Sequence, residues 1–193
     1  MAATIGVLAV QGAFREHCRA LSRCGAAVKE VRQCSDIAGI DALVIPGGES
    51  TAIAKLLIML HMLEPLQQRI QQGMPVYGSC AGLILLCNSI EDAEGKPLPQ
   101  ARLGGIDATV RRNAFGRQVD SFETELPVQG IAQPVHAVFI RAPFIVRTGT
   151  GVQVLATVGG NAVAVQQGRL LATSFHPELT EDTSIHRYFL SLL

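Results

Sequence analysis

The first half of the chain alternates short apolar runs with segments of helical periodicity, and this alternation is what most constrains the fold. The runs are too apolar for half-exposed strands, so they predict buried parallel strands at residues 5–10, 27–32, 42–45 and 74–77. Helices are predicted at residues 14–24, 50–60 and 65–72, with Ser50 or Thr51 as the N-cap of the second. This order of elements is typical of an α/β fold.

The second half differs, because short strands and turns replace most of the helices. Strands are predicted at residues 109–112, 135–140, 152–158 and 162–166, and a closing helix at 181–193. We expect these strands to extend the main sheet in antiparallel fashion. The expected architecture is a three-layer, open, mixed and mainly parallel sheet with helices on both faces, built as a single domain over residues 1–193.

Composition limits the classes of function. Of the 193 residues 48% are hydrophobic, and 16 Lys and Arg balance 16 Asp and Glu, so charge predicts neither a nucleic acid nor a membrane surface as partner. The sequence shows no apolar stretch of membrane-spanning length. The five cysteines lack paired spacing and the opening residues lack a basic leader segment, so we expect a cytoplasmic protein.

The segment 78–82, Gly-Ser-Cys-Ala-Gly, places a thiol between two glycines where an apolar strand turns into the apolar residues 83–86. Such a turn is typical of a nucleophile elbow, in which glycines remove Cβ atoms that would clash with strand and helix. The helix N-terminus also favours a thiolate. Cys80 is therefore a candidate nucleophile, the alternative being a small buried hydrophobic residue.

A thiol nucleophile needs a base and the base needs an acceptor that orients it, and both occur in His176-Pro177-Glu178 after the apolar run 170–173. In an extended segment His176 and Glu178 point to the same side, and Pro177 stiffens the backbone between them. A zinc pair and a surface histidine are the alternatives. No other cluster has the ligand spacing of a metal site.

A glycine-rich turn, Pro46-Gly47-Gly48-Glu49-Ser50, follows a predicted parallel strand, where open α/β sheets place ligands. The backbone N–H groups of Gly48 and Ala81 could form an oxyanion hole. The alternatives are an ordinary strand-to-helix turn and a phosphate cradle, although the lysine of a P-loop is missing.

In order and spacing, segments 46–50, 78–82 and 176–178 resemble the motifs of the class I (triad) glutamine amidotransferases, whose fold is flavodoxin-like. Three further stretches, residues 10–17, 112–123 and 174–182, resemble the glutaminase subunits of pyridoxal 5'-phosphate synthase. The resemblance covers essentially the whole chain. Ser79 and Ala114 stand where threonine and serine are more usual in that family, and neither change removes a catalytic group.

The resemblance implies hydrolysis of L-glutamine, with the ammonia passed to a synthase subunit in a hetero-oligomeric complex and with no cofactor or metal on this chain. It implies Cys80 as nucleophile, His176 as acid and base, Glu178 as the residue that orients His176, and Gly48 and Ala81 as oxyanion donors. The implied contacts to glutamine are Gly48, Glu49, Ser50, Arg112, Ile140 and Arg141. For either arginine the alternative is a solvated surface charge.

Three other interpretations remain open at this point. The glutaminase of imidazole glycerol phosphate synthase shares the triad and the fold. A DJ-1-like protein also carries an elbow cysteine, but it does not need residues 176–178. A non-catalytic scaffold could keep the motifs for packing alone.

Overall fold

The structure, a computed structural model, describes residues 3–112 and 121–193, so most of the 112–123 stretch that carries the family resemblance lies outside the described residues. The described strands and helices, in chain order, are β1 Thr4–Leu8, α1 Phe14–Arg23, β2 Ala27–Val31, β3 Ala42–Ile45, α2 Ser50–Met59, α3 Leu63–Gln71, β4 Val76–Ser79, α4 Ala81–Leu86, β5 Cys87–Glu91, β6 Ile106–Arg111, β7 Ser121–Leu126, β8 Val135–Ile140, β9 Phe144–Thr148, β10 Gln153–Val158, β11 Asn161–Gln167, β12 Leu170–Thr173 and α5 Ser184–Leu190. Short 3₁₀ helices lie at Cys34–Gly39 and Pro177–Leu179.

The main sheet of the described chain runs in the order β2-β1-β3-β4-β12-β11-β9-β6-β5, with β10 paired to β11. The strands from β2 to β12 in this order are parallel. Beyond them β11 is antiparallel to both β12 and β9, and β9 is antiparallel to β6. This confirms the predicted mixed, mainly parallel sheet with an antiparallel extension.

Two apolar cores lie on the two faces of the sheet. The core that contains Leu57, Leu66 and Leu85 packs α2, α3 and α4 against one face. The other contains Leu21 of α1 and Phe189 of α5. The central strands β3, β4 and β12 are buried along their whole length, because helices cover both of their faces. Within the described residues, no helix is both long and apolar enough to cross a membrane.

Three strands were missed by the sequence patterns. β5 continues directly from the apolar helix α4, and an uninterrupted apolar run does not separate helix from strand. β7 reads Ser-Phe-Glu-Thr-Glu-Leu, which is polar and half-exposed. β9 changes from buried to exposed along its length. Moreover, β8 was expected in the main sheet, but it pairs with β7 in a separate two-stranded sheet.

The predicted start of the last helix and the predicted N-cap of α2 were also wrong. α5 begins at Ser184 and not at residue 181, because side chains hold the preceding turn: Asp182 Oδ1 accepts from the N–H of Ser184 at 2.8 Å, and Thr180 Oγ1 accepts from the N–H of Asp182 at 3.1 Å. The N-cap of α2 is Glu49 and neither Ser50 nor Thr51. Its carboxylate accepts from two backbone N–H groups of the first turn.

Candidate active site

Three neighbouring parallel strands deliver the three motifs to one edge of the sheet. β3 leads into Pro46, β4 ends next to Cys80, and β12 leads towards His176. Register pairs Ile45 with Gly78, so the carboxyl ends of β3 and β4 lie level, and Thr173 pairs with Ser79. Open α/β sheets place ligands at this edge.

The elbow at Cys80 has the strained backbone that the sequence predicts. Cys80 has φ +48° and ψ −95°, and its N–H donates to the carbonyl of Thr173 at 2.8 Å. A Cβ on Gly78 would lie 2.5 Å from the carbonyl carbon of Gly82, and one on Gly82 would collide with the carbonyl oxygen of Ile45. Both glycines are therefore needed for strand and helix to approach each other.

His176 and Glu178 form the predicted pair, although the backbone between them is not extended. Pro177–Leu179 is a 3₁₀ helix with His176 as its N-cap, and proline suits the first helical position because it lacks an N–H. This turn brings Glu178 Oε1 to 2.7 Å from Nδ1 of His176. The backbone N–H of His176 donates to the carbonyl of Val138 at 2.8 Å, which anchors the segment to β8.

Burial and charge set the protonation of this pair. Burial opposes a charged His176, but the hydrogen bonds and charges of Cys80 and Glu178 outweigh it and raise the pKa of His176 to about 10. Burial likewise opposes ionisation of Glu178, yet the neighbouring His17 and His176 hold the pKa of that carboxyl below its usual value. At neutral pH the site therefore favours an imidazolium beside a carboxylate.

A cavity of about 340 Å³ opens beside Cys80. That size falls within the usual range for small-molecule sites. Eight of the predicted site residues line it: Gly48, Glu49, Ser50, Cys80, Arg112, Ile140, Arg141 and His176. Three residues that were not predicted complete the lining: Gln11, Ile84 and Pro143. Of the remaining predicted residues, Glu178 lies behind His176, and Ala81 is the buried first residue of α4.

The residues on the rim of the cavity are held by defined contacts. Arg112 donates to Thr51 Oγ1 at 3.1 Å and to Gln100 Oε1 at 3.0 Å, and it pairs with Glu49 Oε1 at 3.3 Å. Arg112 is therefore not a solvated surface charge. Across the cavity Arg141 follows β8 with φ +44°, a conformation rare for a residue with a side chain.

Close approach explains the glycine-rich turn. A Cβ on Gly47 would collide with the ring of His176, so a side chain there would displace the base. The carbonyl of Gly47 accepts from the N–H of Ala13 at 3.0 Å, which orients the peptide that carries the N–H of Gly48. Gln11 Oε1 accepts from the N–H of Glu49 at 3.0 Å.

Gln11 lines the cavity and was missed as a site residue by the sequence reasoning. A signal was available, because the residue lies just beyond the carboxyl end of the parallel strand β1. Among the described residues, no group of three or more His, Cys, Asp or Glu side chains has an arrangement that could hold a metal ion.

Comparison with known proteins identifies the family. The profile of the SNO glutamine amidotransferase family matches residues 7–193. The chain belongs to this family. A protein named "Pyridoxal 5'-phosphate synthase subunit PdxT" in Mycolicibacterium vanbaalenii is 56% identical over 189 residues, covering 98% of this chain and 97% of its own length. The protein of the same name in Mycobacterium leprae is 54% identical, with 98% and 96% covered.

Solved structures support the same assignment. The structure of a glutamine amidotransferase matches with a TM-score of 0.90 at 51% identity, covering 97% of both chains. The structure of PurLQS from Thermotoga maritima matches with a TM-score of 0.69 at 14% identity, covering 99% of both chains, and shares the fold. The class I glutamine amidotransferase architecture expected from the motifs is thereby confirmed.

Proposed function

We propose that the chain hydrolyses L-glutamine to L-glutamate and ammonia, and that it delivers the ammonia to a synthase subunit that makes pyridoxal 5'-phosphate. The observation that carries this proposal is that Cys80 and His176 line one cavity, with Glu178 hydrogen-bonded behind His176, in a member of a glutamine amidotransferase family. The names of the relatives in the two mycobacterial genera support pyridoxal 5'-phosphate synthase over imidazole glycerol phosphate synthase.

In the first half-reaction the Cys80 thiolate attacks the side-chain amide carbon of glutamine. The resulting oxyanion accepts hydrogen bonds from the backbone N–H groups of Gly48 and Ala81, the proposed oxyanion hole. His176, held as an imidazolium by Glu178, gives its proton to the departing nitrogen. The carbon–nitrogen bond breaks, ammonia leaves, and a γ-glutamyl thioester on Cys80 remains.

In the second half-reaction a water molecule attacks the thioester. His176, now neutral, removes the water proton, and the tetrahedral intermediate collapses with release of glutamate and of the Cys80 thiolate. Glu178 again stabilises the imidazolium that forms. The net reaction consumes one glutamine and one water and needs no cofactor or metal.

The rim of the cavity suits the zwitterionic end of an amino acid. Glu49 and Arg112 present opposite charges there, and a guanidinium can bind an α-carboxylate in a bidentate way. In this proposal the substrate displaces Arg112 from part of its contact with Glu49. Ser50, Ile140 and Arg141 complete the contacts to glutamine.

The acceptor chemistry belongs to a separate subunit. Free ammonia is mostly protonated near neutral pH and is then a poor nucleophile, so transfer inside a complex shielded from water is the effective route. We also propose that residues 1–193 act as one domain in the cytoplasm. The five free cysteines of the chain support a reducing compartment.

The experiment reconstitutes the chain with the synthase subunit, then compares glutamine with ammonium as nitrogen source. Cys80→Ala should abolish glutamate release and glutamine-dependent synthesis while synthesis from ammonium continues. The matched control is Cys34→Ala, which removes an exposed thiol and should keep full activity. Loss of ammonium-dependent synthesis in a normally assembled Cys80→Ala complex would contradict the proposed division of labour.

A further inference from the structure

Two buried histidines continue the line of the triad into the core, and the mechanism above uses neither. His17 on α1 and His186 on α5 are both fully buried. His17 Nε2 lies 3.4 Å from Glu178 Oε2, and His17 Nδ1 lies 2.9 Å from His186 Nε2. His176, Glu178, His17 and His186 therefore form a continuous chain of side chains.

His17 also contacts the elbow directly. Its Nε2 lies 2.9 Å from Oγ of Ser79, the residue that precedes Cys80. The same ring nitrogen thus faces a hydroxyl at the end of β4 and the outer carboxylate oxygen of Glu178. In the described part of the chain that oxygen, Oε2, has no hydrogen-bond partner, so its 3.4 Å contact with His17 Nε2 is electrostatic and the hydrogen bond of Nε2 is the one with Ser79.

These contacts select one tautomer of His17. A lone pair on Nε2 would face an ionised carboxylate oxygen at 3.4 Å, which is repulsive, whereas an N–H there is attracted. With the proton on Nε2, Nδ1 of His17 accepts from the N–H of His186 Nε2. His186 Nδ1 is then an unprotonated acceptor, which agrees with its having no hydrogen-bond partner among the described residues.

The surroundings keep both rings neutral. Burial lowers the pKa of His17 by more than the charge of Glu178 raises it. Burial and His17 lower the pKa of His186 to about 3. The titratable groups that face His17 from its own helix and from the elements packed against it are Glu16, Tyr77, His176, Glu178 and His186.

We propose that His17 is a positioning residue of the glutaminase site, a neutral imidazole whose Nε2–H donates to Ser79 Oγ and lies beside the outer oxygen of Glu178, and which is itself oriented by His186. This inference rests on the proposed function. The N–H dipole favours the ionised carboxylate and limits its rotation, so that the inner oxygen stays aimed at His176. Through Ser79 the same ring ties the carboxylate to the elbow.

Removal of this donor has a specific kinetic signature. A less stabilised carboxylate holds the His176 imidazolium less firmly, so the thiolate–imidazolium pair forms at a higher pH and the imidazolium loses its proton at a lower pH. The bell-shaped pH profile of glutaminase kcat/KM therefore narrows from both sides, by about one pH unit in total. A purely structural role for His17 would not move either limb.

The test uses the full chain in complex with the synthase subunit. His17→Leu fills the space without a donor and should lower kcat about tenfold, narrow the pH profile and change KM less than twofold. His17→Gln should recover most of this loss, because its amide nitrogen can occupy the place of the imidazole Nε2. The matched control is Phe189→Leu, in the same core and 5.8 Å from the Tyr77 ring, which should lower Tm but leave the pH profile unchanged.

Nitrogen NMR of the wild-type chain provides a second measurement that does not depend on any variant folding. It should find His17 neutral and protonated on Nε2 at neutral pH. An Nδ1–H tautomer, an imidazolium, or a folded His17→Leu variant with the wild-type pH profile would overturn the proposal. A wild-type complex that releases no glutamate from glutamine would instead refute the proposed function, and the NMR measurement would still decide the tautomer.

Discussion

Glu178→Gln tests how much of the activity depends on charge at the base. The variant keeps an oxygen that can accept from Nδ1 of His176 at 2.7 Å, but it removes the negative charge. The pKa of His176 is raised from 6.5 to about 10, which corresponds to roughly 5 kcal/mol in favour of the imidazolium. If Glu178 supplies about half of this, the variant loses about 2.5 kcal/mol, or about 70-fold in kcat.

The assay is glutamate release by the complex as a function of pH, together with the rate at which an electrophilic diazo-ketone analogue of glutamine labels Cys80. Both rates should fall, and the alkaline limb of the pH profile should move to lower pH. Glu181→Gln is the matched control, because that carboxylate is 94% exposed and lies only three positions further along the chain. A folded Glu178→Gln variant with a wild-type rate and an unmoved alkaline limb would refute the electrostatic role of Glu178.

Three further predictions address the base, its surroundings and acid stability. His176→Asn removes both proton transfers and should lower the rate of glutamate release at least about a thousandfold, a larger loss than that of Glu178→Gln. Equal losses in the two variants would mean that the carboxylate of Glu178 does more than support the base. Gly47→Ala forces a Cβ against the His176 ring and should lower kcat about 100-fold. The control is Gly151→Ala, which should keep the wild-type rate because its Cβ would meet only Gln167 Nε2, at 3.8 Å. A Gly47→Ala variant with wild-type activity would contradict the close approach of Gly47 to His176. The pKa of His186 is lowered to about 3 by burial, below its unfolded value of about 6.5, so this group contributes stability above pH 6.5 that is lost as pH falls towards 3. Urea unfolding should therefore show a free energy of unfolding about 2 kcal/mol lower at pH 5 than at pH 7, and a much flatter pH dependence in His186→Gln. An equally steep pH dependence in that variant would exclude His186 as the cause.

The parts of the site that sequence predicts are those in which local chemistry dictates the residue. The glycines around Cys80 follow from the close packing of strand and helix, and the three motifs follow from their places after buried strands. Neighbouring parallel strands bring their carboxyl ends to one edge, so separated motifs can be expected to meet. The fold class is predictable for the same reason, since the apolar runs have no half-exposed alternation.

The parts that sequence does not predict depend on contacts between distant segments. His17 looks like an ordinary polar position of an amphipathic helix, and its role follows only from the packing of α1 against β4 and α5. Glu49 reads as a substrate contact, whereas the structure also makes it the N-cap of α2. The separate β7–β8 sheet depends on a pairing that half-exposed, polar strands specify weakly.

The strain at the elbow links the stability of the fold to its chemistry. The backbone of Cys80, with φ +48°, costs on the order of 1–3 kcal/mol and persists only if its surroundings enforce it. Three contacts enforce it. The N–H of Cys80 donates to the carbonyl of Thr173, and the carbonyl of Cys80 accepts from the N–H of Ile84. Gly82 also packs closely against Ile45. Since Thr173 also ends the strand that leads to His176, one set of contacts fixes both the nucleophile and its base. A substitution that relaxes the elbow is therefore expected to stabilise that backbone locally and to impair catalysis, because the strained turn and the active geometry are the same feature.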